Sequence, residues 1–158
     1  MNPPYTLVVV DMQADFAAAK DEATIVAVEK LIEQAKRDNA HVVFLWIPYY
    51  SPADEKPLAR PLRRLLDLVS GYPHTRSIEK HQSDGSFLVR HYCSQQGCSN
   101  SQFVICGVNT DICVLEMALG LARSNPAAKV TVHRDACNTI FVKDCWSEFG
   151  VEPNIVVR

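Results

Sequence analysis

Apolar and polar positions alternate between two periods along this chain. Tyr5 to Val10 (YTLVVV) is an unbroken apolar, β-branched run that stops at Asp11, which predicts a strand buried on both faces. From about Asp21 the period becomes helical, with Ile25, Val28, Ile32 and Ala35 on one stripe and Glu29, Lys30, Glu33, Lys36 and Arg37 opposite. His41 to Ile47 (HVVFLWI) predicts a second buried strand, halted by Pro48. Residues 48–75 are irregular and proline-punctuated, with a short helix predicted within Leu58 to Val69. A short strand then leads into Lys80, and Ser86 to Gln96 reads as a helix with Phe87, Leu88 and Tyr92 inward. Gln102–Val108 predicts a fourth strand, Asp111–Arg123 a helix and Lys129–Val132 a fifth strand. A short helix near Val142–Glu148 and a last strand at Asn154–Val157 complete the pattern.

Apolar strands alternating with amphipathic helices predict a three-layer α/β/α fold around a doubly wound, mainly parallel sheet of six strands. The Rossmann-like order 3-2-1-4-5-6 is expected. No linker, repeat or low-complexity tract interrupts residues 1–158, so a single domain is expected. In such sheets, ligands bind beyond the carboxyl ends of the strands. That rule selects Asp11, Lys80 and the loop after strand four.

Composition narrows the function without naming it. Sixteen Lys and Arg against eighteen Asp and Glu give a net charge of −2, which removes the broad basic surface that nucleic acid needs. No apolar stretch is long enough to span a bilayer, and Met1-Asn2-Pro3-Pro4 lacks a basic, cleavable leader. A soluble, cytoplasmic protein is therefore expected, with no membrane or nucleic-acid partner. Six cysteines without a CxxC argue against both a disulfide scaffold and a dithiol redox motif. Cys93 and Cys98, with His91 beside them, lack a fourth ligand at zinc-like spacing. Five of the six cysteines read as small buried hydrophobes.

The sixth is Cys113. It follows the strand in Gly107-Val108-Asn109-Thr110-Asp111-Ile112-Cys113, where Thr110 or Asp111 can cap a helix. A thiol in the first helical turn meets the positive end of the helix dipole, which favours thiolate. Taken alone, such a cysteine fits a buried structural thiol better than a nucleophile. Asp11 alone reads equally as a loop cap, and Lys80 alone as a surface charge. Together, a carboxylate, an ammonium and a thiol from three strand ends form a coherent site for nucleophilic catalysis.

Three segments make the pattern familiar: LVVVDMQADF (7–16), EKHQSDGSF (79–87) and VICGVNTDICV (104–114), with a weaker fourth in HRDACNT (133–139). In this order, the chain resembles the isochorismatase-like cysteine hydrolase superfamily, which includes nicotinamidases and N-carbamoylsarcosine amidases. The resemblance implies Asp11 as general acid/base, Lys80 as its support and Cys113 as a nucleophile forming a thioester. It also implies a cis peptide at Val108–Asn109, with the Asn109 and Cys113 amides forming an oxyanion hole. A homo-oligomer acting on a small molecule is expected.

Departures accompany it. The Asp-x-His metal motif of nicotinamidases is absent, since His74 is the one histidine in residues 46–74 and neither Asp54 nor any other aspartate stands two places before it, so no metal or other cofactor is expected. Isochorismatases proper lack the nucleophilic cysteine, so Cys113 argues against that branch. Gln13, Phe16, Trp46 and Tyr49 lie near strand ends and are candidates for substrate contact or base support; Tyr50 joins them as an apolar wall. His41, His81 and His91 read as surface residues. Two rivals stand beside the hydrolase reading. A magnesium-dependent phosphatase-type enzyme would place a second aspartate where Gln13 stands, and it leaves Cys113 without a role. A catalytically silent relative would bind a metabolite or serve in assembly.

Overall fold

The computed structural model describes residues 5–48 and 60–158. Its centre is a six-stranded sheet in the order β3-β2-β1-β4-β5-β6, with every strand pair parallel. The strands are β1 (Thr6–Val10), β2 (His41–Trp46), β3 (Thr75–Glu79), β4 (Gln102–Val108), β5 (Lys129–Asn138) and β6 (Ile155–Val157). Helices α1 (Glu22–Arg37) and α2 (Arg63–Leu68) cover one face, while α3 (Ser86–Gln96), α4 (Leu115–Ser124) and α5 (Trp146–Phe149) cover the other. The three-layer, doubly wound expectation and its strand order are met.

Alternation along β1 explains the two cores. Val8 and Val10 pack toward α3 and α4, whereas Leu7 and Val9 pack toward α1, whose Ile25, Val28, Ile32 and Ala35 form the predicted stripe. Asp21 caps α1 by accepting the Thr24 amide at 2.9 Å and the Thr24 hydroxyl at 2.7 Å. Gly107 is required where β4 passes β1: its φ is +123°, and a Cβ there would lie 2.0 Å from the Val10 carbonyl oxygen.

Three expectations need correction. Helix α3 turns Ser86, Val89 and Cys93 inward, and Phe87 stands 67% exposed. The reason is close packing against α4: a Cβ on Gly120 would lie 2.5 Å from Ser86 Oγ, so only small groups fit there. Strand β5 runs six residues past Val132, to Asn138, because a register shift against β4 between Ile105 and Gly107 lets Cys137 and Asn138 resume pairing. His41 is buried rather than on the surface. Its Nδ1 lies 2.9 Å from Tyr92 Oη, its ring is 4.9 Å from that of His74, and burial holds its pKa below the usual imidazole range. His81 pairs with Glu79 at 3.0 Å, and His91 stacks on Phe87.

Candidate active site

Three strand ends deliver three reactive side chains to one place. Asp11 follows β1 with φ at +49°, a left-handed conformation uncommon outside glycine, and its amide donates to the Leu45 carbonyl at 3.0 Å. Lys80 follows β3, with its amide bonded to the Trp46 carbonyl at 2.9 Å. Cys113 lies in a π-helical turn, Thr110–Val114, between β4 and α4. The amides of Ile112 and Val114 both donate to the Asn109 carbonyl at 3.2 Å and wind that turn tightly.

The Lys80 side chain is wholly enclosed, and Asp11 is 1% exposed. Lys80 Nζ pairs with Asp11 Oδ2 at 2.9 Å and donates to the carbonyls of Gln82 (3.1 Å) and Ser83 (3.4 Å). Gly85 lets the same loop close over the lysine stem, since a Cβ there would meet Lys80 Cδ at 3.2 Å and Leu45 Cδ1 at 2.8 Å. Burial raises the Asp11 pKa above the ordinary carboxylate range, and Lys80 and the Cys113 thiol pull it partly back.

The thiol does not behave as the helix dipole alone predicts. Burial and the neighbouring Asp11 charge push Cys113 up to about 11, and Lys80 offsets only part of this. Burial thus favours the protonated thiol beside the Asp11 carboxyl, against the pull expected of a helical first turn.

Asp11 and Cys113 face a cleft of about 420 Å³, and Lys80 is enclosed away from it. Asp11, Cys113, Asn109 and Asp15 supply its polar positions, and Phe16, Ala17, Ile47, Ile112, Ile140 and Phe141 its apolar walls. Of the other candidates, Phe16 lines the cleft, while Gln13 and Trp46 do not. Gln13 is buried and clasps the Ile47 backbone at both ends: Oε1 accepts from the amide at 2.7 Å, and Nε2 donates to the carbonyl at 2.9 Å. It pins the loop after Asp11 to the end of β2. Trp46 lies under the Arg60 guanidinium, 5.8 Å from its ring centre. Tyr49, Tyr50 and Asp54 lie outside the described residues. The Val108–Asn109 peptide is cis, Val108 is buried, and Asn109 Oδ1 is enclosed without a hydrogen-bond partner among the described residues.

Sequence reasoning treated Asp111 only as a possible cap and missed its larger task. Its Oδ1 accepts the Thr139 hydroxyl at 2.6 Å, and its Oδ2 accepts the Val142 amide at 3.1 Å. One carboxylate thus ties the cysteine turn to the loop after β5 that carries Ile140 and Phe141. Asn138 adds a second tie by donating to the Ala18 carbonyl at 3.1 Å. The available signal was the apolar run Ile140-Phe141-Val142, of which Ile140 and Phe141 line the cleft.

Among the described residues, no three His, Cys, Asp or Glu side chains cluster to hold a metal ion. His74 stacks on His41 at the opposite end of the sheet from Cys113. A groove of about 610 Å³ along β3 and α3 exceeds the cleft in volume but is lined by none of Asp11, Lys80 and Cys113. No helix among the described residues is long and apolar enough to cross a membrane.

The family model described as the isochorismatase domain matches residues 5–149. The sequence matches no curated protein. The fold is similar to that of a nicotinamidase from Staphylococcus aureus, with a TM-score of 0.75, 20% identity and 100% of both chains covered. An N-carbamoylsarcosine amidase from Thermoplasma acidophilum gives 0.77 at 21% identity, covering 100% of this chain and 96% of that one. A pyrazinamidase from Pyrococcus horikoshii, solved with zinc, gives 0.75 at 23% identity and 99% coverage of both.

Proposed function

The chain belongs to the isochorismatase family, and from that premise we propose that it is a cysteine hydrolase cleaving the C–N bond of a small amide or carbamoyl compound. The observation that carries this reading is the enclosed Lys80–Asp11 pair, 2.9 Å apart, set against the Cys113 thiol at the floor of an apolar cleft. As Cys113 Sγ attacks the carbonyl carbon, Asp11 takes its proton and the charge passes to the carbonyl oxygen. The backbone amides of Asn109 and Cys113 are assigned to that oxygen. Asp11 then returns the proton to the departing nitrogen as the C–N bond breaks, leaving a thioester on Cys113. Water, deprotonated by Asp11, attacks the thioester carbon, the C–S bond breaks, and the proton returns to the sulfur. Lys80 keeps Asp11 ionised often enough to act as a base and balances the developing thiolate.

No step is routed through a metal, because the described residues do not fit one. The nicotinamidase and amidase named among the structural neighbours support an amide as the substrate class, and the aromatic and aliphatic walls favour an acyl group with an apolar body. The exposed Ile140-Phe141-Val142 rim supports a homo-oligomer. The test is a panel of small amides and carbamoyl compounds assayed for amine or ammonia release, with Cys113→Ala and Asp11→Asn beside the parent. Each variant is expected to lose at least about a thousandfold in kcat/KM with its circular dichroism unchanged. A folded Cys113→Ala protein with near-parental turnover would end the proposal. So would activity abolished by chelator yet indifferent to thiol alkylation, the outcome that a magnesium phosphatase predicts.

A further inference from the structure

A second pair of thiols lies at the other end of the sheet from Cys113. Helix α3 ends at Gly97, whose φ of 67° and ψ of 20° place it in the left-handed region. The Gly97 and Cys98 amides both donate to the Cys93 carbonyl, the latter at 3.1 Å. A six-to-one bond across a left-handed glycine is a Schellman closure, which folds the residue after the glycine back onto the last full helical turn. Apolar side chains usually make that contact; here Cys93 and Cys98 occupy the two positions, near enough that each thiol perturbs the other's proton affinity. Both also meet the Thr6 hydroxyl at the start of β1. Thr6 Oγ1 shares a hydrogen bond of 3.5 Å with Cys93 Sγ and donates to the Ser99 carbonyl at 3.1 Å.

From this geometry we infer that Cys93 and Cys98 form an oxidation site, closing to an intrachain disulfide when the protein meets a hydroperoxide. The two members are not equivalent. Cys93 is fully buried, whereas Cys98 is 8% exposed and is the only one an oxidant can reach from solvent. The Cys98 thiolate attacks one peroxide oxygen, the O–O bond breaks, and hydroxide leaves to be protonated to water. The resulting sulfenic acid is attacked at sulfur by Cys93, which loses its proton, and the sulfenic oxygen departs as a second water. Two thiols and one hydrogen peroxide thus give one disulfide and two waters. The 3.1 Å bond from the Cys98 amide to the Cys93 carbonyl keeps the two backbones adjacent, as an intrachain disulfide requires. The inference uses none of the groups assigned to hydrolysis and stands or falls apart from that reading.

The test uses the reduced, full-length protein, treated with limiting hydrogen peroxide, quenched with N-ethylmaleimide under denaturing conditions and digested with chymotrypsin. Cleavage after Tyr92 and Phe103 releases both cysteines in one peptide, Cys93 to Phe103, without Cys106 or Cys113. The expected product is that peptide lighter by two hydrogens, free of maleimide and restored to two maleimide adducts by prior reduction. In Cys93→Ser the peptide should instead carry a dimedone-trapped sulfenic acid on Cys98. Two maleimides on the parental peptide at peroxide doses that oxidise other thiols would overturn the inference. So would a Cys98 bridge to any other cysteine, or a dimedone adduct in the parent in place of the disulfide.

Discussion

Lys80→Met keeps the aliphatic stem of the lysine but leaves Asp11 buried and charged without a counterion. With an effective dielectric of about 20, opposite unit charges 2.9 Å apart attract by about 6 kcal/mol. Most of that offsets the cost of taking both ions out of water, so the intact pair adds little net stability. Breaking it from one side strands a charge and should cost about 3–5 kcal/mol. For a chain of this size that is a fall of about 6–20 °C in Tm. The double variant Asp11→Asn/Lys80→Met removes both charges and should recover much of the loss, with a coupling of about 2 kcal/mol or more. The pH dependence has a definite sign. Asp11 has a folded-state pKa above its unfolded value, so its contribution to stability is present at low pH and lost as pH rises through the folded value. Removing Lys80 raises that value further, so the penalty of Lys80→Met should be larger at pH 8 than at pH 5. Urea unfolding of the four proteins at both pH values, followed by the fluorescence of Trp46 and Trp146, measures every quantity. A coupling below about 0.5 kcal/mol, or a penalty unchanged between the two pH values, would refute the account of the pair.

Alkylation of Cys113 by iodoacetamide should accelerate as pH rises from 7 toward about 11, since the thiol holds its proton until then. A rate that levels off below pH 8 would mean a standing thiolate and a different division of labour with Asp11. Gly107→Ala should destabilise the protein by about 3 kcal/mol or more, because the new Cβ meets the Val10 carbonyl and the backbone must hold a positive φ. An urea midpoint within experimental error of the parent would contradict that reading of the β1–β4 contact.

The parts of the molecule that were legible in its sequence share one physical property: burial on both faces. Leu7 to Val10 and Val42 to Leu45 sit between two helical layers, so their runs are unbroken and their ends clear. The end of β1 located Asp11, and the buried end of β4 located the cysteine turn. Where only one side is buried, the signal weakens. The second half of β5 passes through His133, Arg134 and Asp135, whose polar side chains hide a strand held by backbone pairing. Helix α3 offers two apolar stripes, and the choice between them is made by Gly120 on another helix, which local periodicity does not register. The bonds that Gln13 and Asp111 make were not legible for a related reason. Each spends its polar atoms on groups distant along the chain, Gln13 on Ile47 and Asp111 on Thr139 and Val142, and such partners appear only after folding.

The Asp111 tie has a consequence for how this scaffold changes. What the carboxylate grips is a hydroxyl and a main-chain amide, not the side chains of Ile140 and Phe141 that form the wall. The wall is therefore mounted like an exchangeable faceplate. Residues 140 and 141 can be replaced while their seat on the cysteine turn, and the alignment of Asp11, Lys80 and Cys113 behind it, stays where it is. Under the proposed function, evolution, or a laboratory library confined to those two positions, could retune the choice of substrate independently of the groups assigned to the reaction.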